Sequence, residues 1–344
     1  MMIIDGSARS GSGTIARYSV ALASLLGLDI GIVNIRALRD KPGLRAQHLK
    51  VVQACSEICR GSVKYASVGS KSLRYTPGER FTGGDYSWDI GTAGSAIMMA
   101  ETLLPIACFA RRPSRFRIEG GLFQDFAPTA YHMKFVLLPL LERMGIEADV
   151  DIIRPGYVPK GGGIIEMRVE PVQRLKPLVL TEQGEIINIK GMALSSHLKA
   201  KIVSRRMAEE CRSELLSQGY ECRVEEIEDD SALQEGAALA IYAEMTTGSR
   251  IGSDRAGSPG RSSESIGRYV AQTFLEDVDT GAAVDRYAAD QLIIYAALAE
   301  GITRYSVPCI TDHIDTNLWL VEQLLGARTT VNDGVLEIAG VGFR

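Results

Sequence analysis

The sequence predicts a mixed α/β (α+β) fold made of three β-α-β-α-β-β units and one small inserted α/β domain. Three observations carry this. Apolar residues at helical spacing take turns along the chain with short β-rich or alternating runs. That succession recurs three times, and a recurring supersecondary unit decides the architecture. One stretch, roughly residues 183 to 277, does not follow the plan. Alternating strands and helices argue for sheets covered by helices on one face, with the helix layers of the units packed together. With 344 residues, 46% of them hydrophobic, the chain is long enough to bury such a core.

In the first unit, "YSVALASLLGLDIGIVNIR" (18–36) reads as helix, turn and strand, with the helix over 14–26, and "QHLKVVQACSEICRGSVKYASVGSKSLRYTPG" supplies a second helix and paired strands. The second unit repeats this with "AIMMAETLLPIACFARRPSRFRIEGG" (96–121). There follows a helix that should stop at Gly145, then two strands joined through "PKGGG". Between the second and third units lies the segment outside the plan. It offers the strand "EIINIKGMAL", a charged helix "KIVSRRMAEECRSELLSQG", two further strands, a Gly/Ser/Arg-rich loop over 246–264 and a helix "SIGRYVAQTFLEDVDTG". That loop is either a mobile surface strip or a phosphate contact. The third unit is read in "DQLIIYAALAEGITRYSVPCI" (290–310) and a helix stopping at Gly326 before the turn "NDG". The division is thus a core over 1–182 and 278–344 with an inserted domain over 183–277.

Composition excludes some classes. No run of about 18 uncharged apolar residues occurs and the N-terminus turns polar after four residues, so a cytoplasmic protein without membrane contact is expected. Six scattered cysteines are expected to be reduced thiols. The net charge of −4 means that any contact with nucleic acid must come from a local basic patch.

Such patches exist. "DGSARSGSGTIAR" (5–17) leads a short strand into a helix through small residues, with Arg17 one turn further in; it is a tight turn or an anion site, and neither a Walker loop nor a dinucleotide fingerprint. "IRALRDKPGLRAQH" (35–48) holds Arg36, Arg39, Lys41 and Arg45 about a turn, which suits phosphate oxygens or plain solvation. "GGDYSWDIGTAGSA" (83–96) repeats the small-residue entry into a helix in the second unit. His313 stands between Asp312 and Asp315 just before a helix. The dipole there disfavours a charged imidazole, and either aspartate would orient one ring nitrogen and free the other for attack; an ordinary loop histidine gives the same pattern. His48, His132 and His197 read as structural.

Taken in order, the strings at 5–17, 35–49 ("IRALRDKPGLRAQHL"), 83–95, 137–146 ("LLPLLERMGI"), 154–163 ("RPGYVPKGGG"), 281–292 ("GAAVDRYAADQL") and 313–323 ("HIDTNLWLVEQ") resemble the RNA 3'-terminal phosphate cyclase family across the core. The resemblance implies three units like the C-terminal domain of translation initiation factor three plus an inserted domain. It also implies a reaction. His313 attacks the α-phosphorus of ATP, the adenylate passes to an RNA 3'-phosphate, and the 2'-hydroxyl closes a 2',3'-cyclic phosphate, with a divalent metal, Mg or Mn, assisting. By the same resemblance Arg17, Arg36 and Arg39 bind phosphates, while Tyr287, Asp290 and Gln291 lie near the nucleotide, with Tyr287 suited to stack on adenine. Pro128 lines the nucleotide pocket.

The chain departs from the family at several positions. Ser10 and Thr14 stand where the family has a metal-linked glutamate and a glutamine. Leu122 and Phe123 replace Thr-Asp, and Tyr131 replaces an aspartate. A cyclase-like RNA-binding or assembly protein of little activity is the alternative, although the family's non-cyclising branch lacks the histidine kept here.

Overall fold

The computed structural model describes residues 1–344. The first unit runs β1 (Met2–Asp5), α1 (Gly13–Leu26), β2 (Ile30–Val33), α2 (Ala46–Ile58), β3 (Ser62–Lys64) and β4 (Leu73–Thr76). Its sheet has the order β1-β2-β4-β3, parallel between β1 and β2 and antiparallel elsewhere. The second unit opens with β5 (Gly84–Asp89), α3 (Ala96–Cys108) and β6 (Ser114–Gly120). A helix then runs as α4 (Ala130–His132), one π turn (Met133–Leu137) and α5 (Leu138–Glu142), before β7 (Ala148–Arg154) and β8 (Gly163–Val169). Its order, β5-β6-β8-β7, is the same pattern.

The third unit starts at β9 (Val179–Leu180), so the extra segment interrupts that unit after its first strand rather than preceding it. The extra segment comprises β10 (Ile186–Ser196), α6 (Val203–Ser217), β11 (Cys222–Glu228), β12 (Gly236–Met245), β13 (Arg250–Ala256) and α7 (Ser263–Asp279). The unit resumes with α8 (Ala288–Leu298), β14 (Glu300–Ser306), α9 (Asp312–Leu325), β15 (Arg328–Asn332) and β16 (Val335–Val341). Val179 and Leu180 pair in parallel with Arg304 and Tyr305 across the interruption. The two-residue strand lacks the length to announce itself.

Each sheet presents one face to the helices. In β6, Phe116 and Ile118 are buried while Arg115 and Arg117 are exposed, the period of two that a half-buried strand requires. The helices meet in the middle: α1 packs on α2, α3 and α9, and α8 on α9. Buried residues cover every face of α1 from Gly13 to Leu25, which explains its run of Val, Ala, Ser and Leu. One apolar cluster of 86 buried residues unites the three units.

The interrupting segment has its own sheet, β11-β10-β12-β13, backed by α6 and α7, and its own cluster of 19 buried residues. In β12, Ala237, Leu239, Ile241 and Ala243 belong to that cluster, whereas Ala238, Ala240 and Tyr242 belong to the large one. Both faces are buried, so "GAALAIYAEM" is continuously apolar. The residues expected to form a loop over 246–264 instead contain β13. Gly252 is required there, since a Cβ would sit 2.6 Å from the Val136 side chain.

Pro139 explains the π turn. It has no N–H for the Phe135 carbonyl, and the chain widens so that Leu138 donates to Met133. Arg250 Nη1 of β13 takes the freed Phe135 carbonyl at 3.1 Å. All six cysteines are free thiols. No helix is long and apolar enough to cross a membrane.

Candidate active site

The N-terminal ends of α1, α2, α3, α8 and α9 open onto one cavity of about 890 Å³. Each helix start leaves backbone N–H groups without intrahelical acceptors, so five of them make an electropositive concavity before any side chain is counted. The caps fix where the helices begin: Ser12 Oγ accepts from Thr14 N, Ser95 Oγ from Met98 N and Thr311 Oγ1 from Ile314 N.

All eight residues named from the sequence line this cavity: Arg17, Arg36, Arg39, Pro128, Tyr287, Asp290, Gln291 and His313. Arg17 is buried. It donates through Nη2 to Thr14 Oγ1 at 3.4 Å, and its buried Nε has no partner. Arg36 spends Nη1 on the carbonyls of Lys41 (2.6 Å) and Gly43 (3.0 Å), and Arg39 donates to the Ser10 carbonyl at 3.2 Å. These bonds leave guanidinium donors for a polyanion.

His313 lies within the first turn of α9, not before it, and is exposed on the cavity side. The protein crowding it holds its pKa below the usual histidine range, helped by the cations Arg17 and Arg39 and opposed by Asp312. Neither aspartate orients the ring as expected. Asp315 pairs with Arg9 at 3.2 Å, and the Asp312 carbonyl accepts from Thr316 Oγ1 at 2.6 Å. Asp315 is engaged by Arg9, and neither carboxylate hydrogen-bonds to the imidazole, which is neutral at pH 7.

Three buried groups escaped the sequence reading as site residues. Glu101, in the middle of apolar α3, accepts from Gln291 Nε2 at 3.0 Å. Burial pushes its carboxyl up to about 8 despite Arg17, and burial likewise pushes Asp290 up to about 7. One charged residue inside "AIMMAETLLP" was the available signal. His48 is buried with Nδ1 accepting from Arg45 N at 3.3 Å; burial and the arginines Arg17, Arg36 and Arg45 push it down to about 3, so it is neutral. A Cβ on Gly13 would meet its ring at 2.3 Å, so only glycine lets the imidazole lie on the start of α1.

His132 is the third. Its Nε2 lies 3.2 Å from both oxygens of Asp285. Burial alone would lower its pKa, but Asp285, with Asp254 and Glu101, carries it up to about 9. Asp285 also accepts from the N–H groups of Tyr287 (2.9 Å), Ala288 (2.8 Å) and Gly252 (2.9 Å). One carboxylate thereby ties the second unit, the start of α8 and strand β13 together behind Tyr287. The His132 ring stands edge-on to Tyr287 with centroids 6.0 Å apart.

The departures at 122, 123 and 131 have a packing role. Leu122 and Phe123 are buried, and the Phe123 ring lies 5.1 Å from Tyr131 and 5.7 Å from Tyr157. The donor set for a metal held by protein alone does not fit. No three His, Cys, Asp or Glu side chains cluster closely enough, and the Ser10 hydroxyl accepts from Thr316 at 2.8 Å. Hard divalent ions need several oxygens, so here they would have to come from substrate phosphates and water.

The model of the RNA 3'-terminal phosphate cyclase family matches residues 8–331. The chain belongs to that family. RNA 3'-terminal phosphate cyclase from Pyrobaculum aerophilum is 37% identical over 345 residues, covering 99% of this chain and 98% of the relative. Those from Pyrococcus furiosus (37%; 98% and 97% covered) and Caldivirga maquilingensis (38%; 95% and 93%) are similar over nearly their whole lengths. Among solved structures the enolpyruvyl transferase NikO from Streptomyces tendae aligns at 12% identity with a TM-score of 0.41, covering 99% of this chain and 49% of that one, a likeness too loose to bear on this family member's fold or function.

Proposed function

We propose that this member of the cyclase family converts an RNA 3'-phosphate end to a 2',3'-cyclic phosphate at the expense of ATP, in the cytoplasm. The observation that carries the reading is the convergence of His313, Arg17, Arg36, Arg39 and five helix N-termini on one cavity. In the first step a neutral His313 nitrogen attacks the α-phosphorus, the N–P bond forms, and the bond to the β-phosphate oxygen breaks as pyrophosphate leaves. A phosphate oxygen of the RNA end then displaces His313 from that phosphorus. The 2'-hydroxyl oxygen next attacks the activated 3'-phosphorus, expelling AMP and losing its proton to solvent. Each step is a displacement at phosphorus, so the protein contributes position and charge neutralisation. Arg17 and the helix ends suit the nucleotide phosphates, and Arg36 and Arg39 those of either substrate. Tyr287 suits stacking on the adenine, and Pro128, Asp290 and Gln291 line the same cavity near the nucleotide. Residues 1–182 and 278–344 form the catalytic core in this reading, and 183–277 the inserted domain.

The test is incubation with α-labelled ATP and magnesium or manganese. An acid-labile, alkali-stable label on the polypeptide is expected, absent from His313→Ala. A second reading, RNA binding with little catalysis, is favoured by one observation, the poor metal donor set around Ser10. Folded protein that binds RNA yet takes no label with either metal would decide for it.

A further inference from the structure

We propose that Phe126 is a stacking platform for an unpaired RNA base, at or next to the 3'-end, on the rim of the His313 cavity. The inference rests on the reading above for the kind of ligand. Phe126 is a fully exposed aromatic ring, and its backbone adopts φ 63°, a conformation that bulky L-residues avoid. A fully exposed ring forgoes the stabilisation that burial would give it, and the disfavoured backbone costs stability; their coincidence on the rim of a site is a pointer to use.

The loop is held in this shape. Leu122 N and Phe123 N donate to the Gly156 carbonyl at 2.9 and 3.1 Å, and Ala130 N donates to Leu122 O at 3.2 Å. Asp125, the residue before Phe126, accepts from Arg261 at 2.8 and 3.1 Å. The ring is therefore displayed from pinned ends, which lowers the entropy lost when a base settles on it.

Its setting names the ligand. Phe126 lines the cavity together with the exposed Arg39 and Arg45, and with Tyr269, over which Arg255 lies at 4.2 Å. Rings for base faces beside guanidinium groups for phosphates are the elements by which proteins hold single-stranded nucleic acid. A protein partner would ask for a contiguous apolar patch, whereas this ring stands among charged groups. Its full exposure also suits a base still attached to a chain better than a nucleotide enclosed in the cavity.

The test uses an oligoribonucleotide with a 3'-phosphate and 2-aminopurine as its terminal base. Binding to the full-length protein should quench the fluorophore. Phe126→Leu should abolish the quench and weaken binding by about fivefold to a hundredfold, the range for loss of one base-aromatic stack, while Phe126→Trp restores both. Labelling by ATP without RNA should keep its rate. RNA affinity of Phe126→Leu within twofold of wild type overturns the proposal, as does a rise in the KM for ATP in its place. Wild-type protein that takes no label but quenches through Phe126 sinks the catalytic reading alone; one that labels but binds RNA regardless of Phe126 sinks this one alone.

Discussion

His313 sits where crowding and the cations Arg17 and Arg39 lower its pKa. A depressed value means the ring is already neutral at and above the ordinary histidine range. At saturating ATP the His313-dependent limb of label formation should therefore lie below about pH 6.5, with decline in more acid solution; an acid-limb midpoint above 6.5 in a pH–rate profile would contradict this. Glu101 predicts the opposite limb. With its carboxyl raised to about 8, it is largely neutral at pH 7 and becomes an anion beneath the phosphates in alkali. The KM for ATP should rise through that range in wild type, and Glu101→Gln should remove the part of the rise centred near 8. His313 and the arginines were legible because whole strings around them carry the family resemblance. Glu101 and His132 were not, since a single polar residue in an apolar helical period reads as tolerated burial until its neighbours from other units are known.

The helix starts set the shape of the cavity. Gly13→Ala forces a methyl into the His48 ring, and overpacking of that kind costs about 1–3 kcal/mol. A lower denaturation midpoint with weaker ATP binding is expected, read by chemical denaturation and calorimetry. The His132–Asp285 pair works across elements. Because His132 has a folded value of about 9, above the ordinary 6.5, its share of stability is fully present below pH 6.5 and is lost as the pH rises through about 9. Tm should fall between pH 7 and 10, and His132→Leu should flatten that fall. Removing the other partner leaves an uncompensated buried charge and three unsatisfied N–H groups, so Asp285→Ala should cost about 3–5 kcal/mol in an unfolding titration. Long periodic helices such as α1 and α9 could be read from sequence within a residue or two. The π turn could not, because Pro139 in "VLLPLLER" keeps the apolar period and only the Arg250 contact reveals the freed carbonyl. Strand β13 was hidden by small and charged residues that suit a loop; its pairing is made by backbone groups, which leave no mark on composition.

Across the whole molecule, a chain of net charge −4 gathers Arg36, Arg39 and Arg45 at one opening. If these three neutralise RNA phosphates, affinity should fall roughly tenfold to twentyfold between 50 and 200 mM salt, as counterion release from a single strand requires, and a flat salt profile would remove RNA from the opening. The repeat was legible in outline since three helix-strand successions share one period, but the true position of the interruption was not, because β9 is two residues long. That small strand sets how late the third sheet can close. Val179 and Leu180 leave the ribosome early and find Arg304 and Tyr305 only after the whole interrupting segment has been synthesised. The last sheet to close is the one whose helices bring Asp290, Gln291 and His313 to the cavity, so a prematurely terminated chain lacks that wall of the cavity however well its first two units have folded.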